Sequence, residues 1–350
     1  MAKKKKVNNS KNVDGVAKDD VTAVVENVGP PIKTKADVVK LLSAVKTELG
    51  KIVVGQEAII HGILRAIMCN GHVLVEGVPG VAKTLIVRSV ATILGCDMKR
   101  IQFTVDLLPT DITGIMSYTP DKGFEMIKGP VFTNFVLADE INRSPPKTQS
   151  ALLEAMQERE VTISRQTYAL PNPFFVMATE NPLEVSGVYS LPEAQIDRFL
   201  FKLLIGYPDS QEEKMVLRKN TTINDFDSYE LKAVLNPSRI LEMQAKVKEV
   251  FTSEAIEEYI IKIVEETRKK GWEYAKYISY GASPRASIAL FIASKAEALM
   301  HGRDYVTPED VKTVVYPVLR HRIILNYEAE AEEITTDKVI SHILSSISAP

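Results

Sequence analysis

Cysteine is nearly absent: the 350 residues hold two, Cys69 and Cys96, both within apolar surroundings and without paired spacing. That argues against a disulfide scaffold and fits small buried hydrophobes in a reducing cytosol. Long apolar runs are also missing. No stretch approaches the ~18 residues of a membrane span. Surplus charge of either sign is lacking, with 43 Lys+Arg against 45 Asp+Glu. A chain whose main task is coating nucleic acid is therefore not expected, although a local basic channel stays open. No apolar segment follows Met1-Ala2-Lys3-Lys4-Lys5-Lys6, so no secretory signal is expected and a cytoplasmic location is. Residues 1–33 read as a disordered polar tail whose lysines are solvated, contact with nucleic acid or acidic lipid being the alternative.

What is present begins at Gly77-Val78-Pro79-Gly80-Val81-Ala82-Lys83-Thr84. The run His72 to Glu76 before it is apolar and β-prone, and Leu85 to Leu94 after it has helical spacing. Strand, glycine-rich turn, Lys-Thr and helix describe a phosphate-binding loop. Glycines let backbone N–H groups close around an anion, and the helix N-terminus adds partial positive charge. Lys83 is placed to reach the β- and γ-phosphates, and the Thr84 hydroxyl to ligate Mg²⁺. Ala82 stands where a glycine normally precedes the lysine; helical dihedrals there would make its Cβ tolerable.

Further strands are expected at Met98–Phe103, Asn134–Ala138, Phe174–Ala178 and Phe199–Ile205, each nearly all apolar and separated by helical patterns. That is the signature of a parallel sheet covered on both faces. Beyond Tyr207-Pro208 helical periodicity continues with no convincing strand. Ser253–Lys270, Pro284–Met300 and Pro308–Leu319 are the clearest helices, the last opened by Thr307 as cap and an acid at the third position. The expected organisation is an α/β core over residues 34–209 and an all-α lid over 210–350. The five histidines show no paired ligand spacing, so no metal beyond nucleotide Mg²⁺ is expected.

The third strand ends in Asp139-Glu140. Neighbouring side chains at a strand end point opposite ways, so Asp139 can hold Mg²⁺ through its waters while Glu140 polarises the attacking water. Together with the phosphate loop, Leu137 to Arg143, Ser144 to Arg159, Leu191 to Phe199, Gly281 to Ala286 and Leu319 to Ile323 make the chain resemble the MoxR family of AAA+ ATPases over roughly residues 36–345. The resemblance implies an AAA+ P-loop NTPase core with a mostly parallel five-stranded sheet and a helical lid, using ATP and Mg²⁺. It assigns Gly77 through Thr84 and Leu85 to the nucleotide, with Thr84 and Asp139 at the metal. Val54-Gly55-Gln56 matches the segment beside the adenine. Asn181 matches sensor 1, Arg198 the arginine finger that reaches a neighbour's γ-phosphate, and Arg285 sensor 2. For Arg285 there is independent support: after Ser283-Pro284 it sits at a helix N-terminus, the wrong end for a cation unless an anion lies near. Pairing of Arg198 with Asp197 or Glu193, and a simple turn at Asn181-Pro182, remain the structural alternatives.

Two hairpins, one carrying Pro120-Asp121-Lys122-Gly123 and one between Val161–Ile163 and Thr167–Leu170, match family elements near a ring pore; surface hairpins without a role are the alternative. Glu180 stands where the family often has Gln, adding negative charge, and Ser164-Arg165-Gln166 replaces a tighter turn. A trans-acting finger requires head-to-tail contacts that close into a ring, a hexamer being expected. The resemblance further implies remodelling of protein clients, often von Willebrand A-domain proteins, sometimes during metal-cofactor insertion. A nucleic-acid motor of a related clade and a nucleotide-gated scaffold with negligible turnover are the rivals. Mixed charge at Asp121, Lys122, Glu125, Lys128 and Arg165 does not favour the motor.

Overall fold

The structure, a computed structural model, describes residues 31–78, 80–182, 189–219 and 226–350. Most of the expected tail, up to residue 30, lies outside the described residues, as does Pro79.

Helix α1 (Lys35–Leu49) starts at a capping box in which Thr34 and Asp37 satisfy each other's backbone N–H. Then come α2 (Glu57–Met68), strand β1 (Val73–Gly77), α3 (Lys83–Ile93), β2 (Met98–Gln102), α4 (Pro109–Thr113), the hairpin β3 (Gly114–Thr119) and β4 (Gly123–Lys128), and β5 (Phe135–Asp139). Next are α5 (Pro146–Glu158), the hairpin β6 (Glu160–Ile163) and β7 (Gln166–Ala169), β8 (Phe175–Glu180), the single turn α6 (Glu193–Ile196) and β9 (Phe201–Ile205). After β9 the chain is nearly all helix: α7 (Ser210–Lys219), α8 (Pro237–Glu249), α9 (Glu254–Glu266), α10 (Pro284–Met300), α11 (Pro308–Leu319), α12 (Tyr327–Ala331) and α13 (Thr336–Ser346). One correction applies there. Strand β10 (Ile278–Tyr280) pairs antiparallel with β11 (Ile324–Leu325), a ladder too short to leave a period in the sequence.

The main sheet has the order β2-β5-β8-β1-β9, every pair parallel. The three inner strands β5, β8 and β1 read as largely apolar runs because both faces are covered; the expectation of a nearly all-apolar strand fails at the edge, where β2 reads Met98-Lys99-Arg100-Ile101-Gln102 and exposes its polar residues. Alternate residues enter two separate cores. Val73, Val75, Phe135, Leu137, Phe175 and Met177 face α1, α2, α3 and the later helices. Leu74, Val136, Ala138, Val176 and Ala178 face α5 and the hairpins. Helix α10 packs on α1 and α2, and α11 on β9. A buried ion pair between Arg65 of α2 and Glu297 of α10 joins the two parts, both side chains only 6% exposed. Among the described residues no helix is long and apolar enough to cross a membrane.

His72, just before β1, is fully enclosed; its Nδ1 accepts from the Val176 N–H at 3.1 Å and its Nε2 donates to the Met156 carbonyl. Burial, reinforced by nearby Arg159, pushes it down to about 3. Burial likewise holds His321 well below the ordinary imidazole value. Both fold neutral and protonate near pH 6.5 when unfolded, so their contribution is complete above that pH and is lost as pH falls below it. Glu180, raised by burial, acts in the opposite sense just above its ordinary value. The unfolding free energy, and with it the urea midpoint, is therefore expected to fall between pH 7.5 and 5.5, the free energy by up to ~1.4 kcal/mol per pH unit for each proton taken up. A flat midpoint over that interval contradicts the buried neutral assignment.

Candidate active site

Every strand of a parallel sheet presents its carboxyl end to one edge, where the crevice beside a reversal of strand order receives ligands. Here that edge carries Gly77 at the end of β1, Asp139 at the end of β5, and Glu180-Asn181 at the end of β8. The phosphate loop leaves β1 at Gly77, where a Cβ would overlap Ile205 of β9. Gly80 has φ 86° with open space around it, and Val81 is buried as the loop's anchor. Val78 and Leu85 are half-buried against the core, and Thr84 is half-buried. Lys83 Nζ donates to the Gly77 carbonyl at 2.9 Å, across the mouth of the loop.

Ala82 overturns one expectation. Its φ 60°, ψ 24° are left-handed, not helical, so the glycine usual at this position answers a real conformational demand. A left-handed alanine costs ~1–2 kcal/mol, of which glycine's extra unfolded-state entropy offsets about half. Ala82→Gly is expected to stabilise the protein by roughly 0.5–1 kcal/mol and to keep nucleotide affinity. A lower unfolding midpoint than wild type contradicts this.

The start of α3 has no side-chain cap and no acid in its first turn. Its N–H groups therefore face the loop without a side-chain partner from an Ncap, a donor set that fits a phosphate. Thr84 and Asp139 add oxygen ligands of the kind Mg²⁺ takes.

Asp139 is buried, and its carboxylate accepts from Thr179 Oγ1 at 2.7 Å and from Arg100 Nη2 at 2.6 Å. Glu140 accepts from Gln102 Nε2 and Arg143 Nη1, both at 2.9 Å. Arg100 and Gln102 share one face of β2 and bond to each other, so both acids meet the same face. Strand alternation does not separate them. Glu140 has left strand geometry for φ 57°, ψ 52°, which swings its side chain back beside that of Asp139. No local sequence pattern marks Arg100, Gln102, Thr179 or Arg143 as part of the site. The signal that could find them is register: Gln102 pairs with Asp139 across the parallel ladder.

Asn181 is buried immediately after β8. Glu180 beside it is pushed up by burial and by Glu76, against the pull of Lys202. Lys202 also pairs with Glu76, so the extra acid lies in a partly compensated group. Gly55 and Gln56 are both left-handed, at φ 66° and 58°. Val54 before them is half-buried, Gln56 Nε2 bonds the Gly206 carbonyl just past β9, and a Cβ on Gly55 would overlap Glu212 of α7.

The two arginines lie elsewhere. Arg198 precedes β9, and Leu200 N–H bonds the His72 carbonyl at the amino edge of the sheet. About five residues of strand, ~16 Å at ~3.3 Å per residue, separate that edge from the phosphate loop. Arg198 pairs with neither Asp197 nor Glu193: its Nη1 donates to the Leu153 carbonyl at 3.0 Å, and its Nε finds no acceptor among the described residues. Arg285 does sit at the N-terminus of α10, capped by Ser283. The anion that relieves it is Asp197, 3.8 Å away. Both arginines therefore share one edge, opposite their own phosphate loop.

Comparison with known proteins decides the family. The model of the ATPase family associated with various cellular activities (AAA) matches residues 72–201, and the AAA lid domain model matches residues 274–343. The chain is 46% identical over 308 residues to the chaperone MoxR1 of Mycobacterium tuberculosis, covering 87% of this chain and 81% of that protein. The chain belongs to the MoxR family of AAA+ ATPases. Bacillus subtilis YeaC, uncharacterised, is 45% identical over 90% of this chain and 96% of its own. The crystal structure of a candidate ATPase from Cytophaga hutchinsonii superposes with a TM-score of 0.83 at 48% identity, covering 90% of this chain and 97% of that one.

The two hairpins of this MoxR-family chain form two-stranded ladders separate from the main sheet. In the first, Tyr118 and Phe124 face each other across the strands with ring centroids 5.1 Å apart, 61% and 74% exposed. In the second, Ser164 and Arg165 take φ 47° and 74°, the two left-handed positions of a tight two-residue turn.

Proposed function

We propose that the chain hydrolyses ATP at sites completed between subunits of a closed ring, and uses the cycle to remodel a protein client. The observation that carries this reading is the separation of Arg198 and Arg285 from their own phosphate loop by the length of the sheet. Arginines on one edge and a phosphate loop on the other make a head-to-tail interface, and such interfaces close into rings when the rotation allows; six subunits is the proposed number.

In each site the Gly77–Thr84 backbone and the α3 N-terminus would bind the phosphates, with Lys83 leaving the Gly77 carbonyl for the β- and γ-oxygens. Mg²⁺, held through Thr84 and Asp139, would neutralise phosphate charge when bound. Glu140 would take the proton of the attacking water, and Asn181 would orient that water. Val54, Gly55 and Gln56 would line the adenine. Arg198 and Arg285 of the adjoining subunit would stabilise the charge developing on the transferred phosphoryl group. Glu140→Gln keeps every binding group and removes the base. It is expected to bind ATP normally and turn it over about 10²-fold or more slowly; turnover equal to wild type contradicts the assignment.

The division into a core up to residue 209 and a lid beyond it supplies the moving parts, the cycle shifting the hairpins that face the pore. The exposed Tyr118–Phe124 pair and the balanced charges around it suit a polypeptide better than a phosphate backbone. The client class proposed is a von Willebrand A-domain protein, including those that receive a metal cofactor, and the place of action is the cytoplasm. ATP-loaded Glu140→Gln protein, which cannot complete the cycle, tests this by capture from native lysate. A von Willebrand A-domain protein retained with ATP and released without it is the expected result. Nuclease-sensitive nucleic acid in its place overturns it.

A further inference from the structure

Arg322, just past α11, is a buried cation whose side chain is 3% exposed. Its guanidinium donates to Asp197 Oδ1 at 2.7 Å and to the carbonyls of Asp197, Phe199, Leu200 and Val318. All but Val318 belong to the four residues that contain Arg198. His321 adds a bond from Nε2 to the Phe199 carbonyl at 3.0 Å. The other oxygen of Asp197 accepts from Ser283 Oγ, the cap of α10, at 2.9 Å and faces Arg285. One carboxylate thus joins the turn after α11, the start of α10 and the segment carrying Arg198.

Burying a guanidinium and a carboxylate is costly, and an apolar pair of similar volume often serves stability as well or better. What an ion pair with a planar fork adds is orientation. Arg198 itself is held differently: its backbone lies inside this clamp, while its guanidinium keeps a single bond to the Leu153 carbonyl. The base is fixed and the tip can be released.

We propose that Arg322 and Asp197 are positioning residues that set Arg198 and Arg285 for the neighbouring subunit's site, so that the lid of one subunit governs hydrolysis in the next. This rests on the reading above that Arg198 acts in trans. Displacing a reacting group by about 1 Å can cost ~10²-fold in rate, so loss of the clamp should appear as a fall in kcat without a change in ATP affinity.

The test uses donors whose own sites are silent. Arg198→Ala protein is mixed with Glu140→Gln protein, or with the double variant Glu140→Gln/Asp197→Asn, and hydrolysis is followed with assembly and ATP affinity of each donor. The Glu140→Gln donor is expected to restore turnover, and the double variant to restore at least ~10-fold less at equal assembly. A Glu140→Gln/Arg322→Lys donor, which keeps the charge but loses the fork, should fall between them. Should Asp197→Asn prevent folding, Glu140→Gln/Ser283→Ala removes the outer bond to Asp197 together with the α10 cap bond and is expected to weaken rescue detectably. Equal rescue by all folded donors overturns the clamp and leaves the trans reading intact. Absence of rescue by the plain Glu140→Gln donor removes the trans reading, and the clamp with it.

Discussion

Lys83→Ala is expected to weaken ATP binding by ~2–5 kcal/mol, roughly 30- to 5,000-fold in Kd, with little effect on folding. The side chain donates to the Gly77 carbonyl at 2.9 Å, a contact within the loop itself. Removing it leaves the backbone donors of the loop and of α3, so some phosphate affinity should survive, but the charge opposite the β- and γ-phosphates is gone. Isothermal titration with ATP and with ADP reads the effect, and the loss should be larger for ATP. Comparable affinity in the variant and the wild type would sink the phosphate-loop assignment, whatever the turnover.

Arg198→Ala is the second large effect. An arginine supplied to a phosphoryl-transfer site can be worth ~10³–10⁵ in rate in other systems. The structure supplies a reason to expect a clean result: Arg198 makes one hydrogen bond, to a helix carbonyl, and leaves its Nε without an acceptor among the described residues. Truncation therefore frees one carbonyl and removes a poorly satisfied donor, which should cost stability ~1 kcal/mol or less. ATP affinity should stay near wild type, because the phosphate loop of the same chain lies at the opposite edge of the sheet. A variant that loses ATP binding in proportion to turnover would show that Arg198 supports its own site or the fold.

Much of this is legible in the sequence. Pro284–Met300 and Pro308–Leu319 emerge with the expected bounds because their caps and first-turn prolines are local. The inner strands emerge because a buried parallel strand is a short apolar run, and the phosphate loop because its glycines and Lys-Thr are contiguous. What local pattern could not convey was backbone handedness and long-range pairing. Ala82 and Glu140 each take a left-handed conformation that neither residue type announces. Arg100 and Gln102 look like ordinary edge-strand residues until parallel register sets them beside Asp139 and Glu140. The partner of Arg285 lies 88 positions away, and Arg322 finds the Arg198 segment across more than 120 residues. The short β10–β11 ladder, only two or three residues a side, leaves no alternation to read.

The central claim is that catalysis belongs to the junction of two subunits, and mixing measures it most directly. Arg198→Ala protein has an intact loop and base but no finger to offer; Glu140→Gln protein has the finger but no base. Each alone should be nearly inactive. Combined at varying ratios under conditions of subunit exchange, they should regain hydrolysis with a maximum at intermediate composition, where junctions pairing an intact base with an intact finger are most frequent. Turnover that never exceeds the sum of the two separate proteins, at any ratio and with exchange verified, would contradict the account.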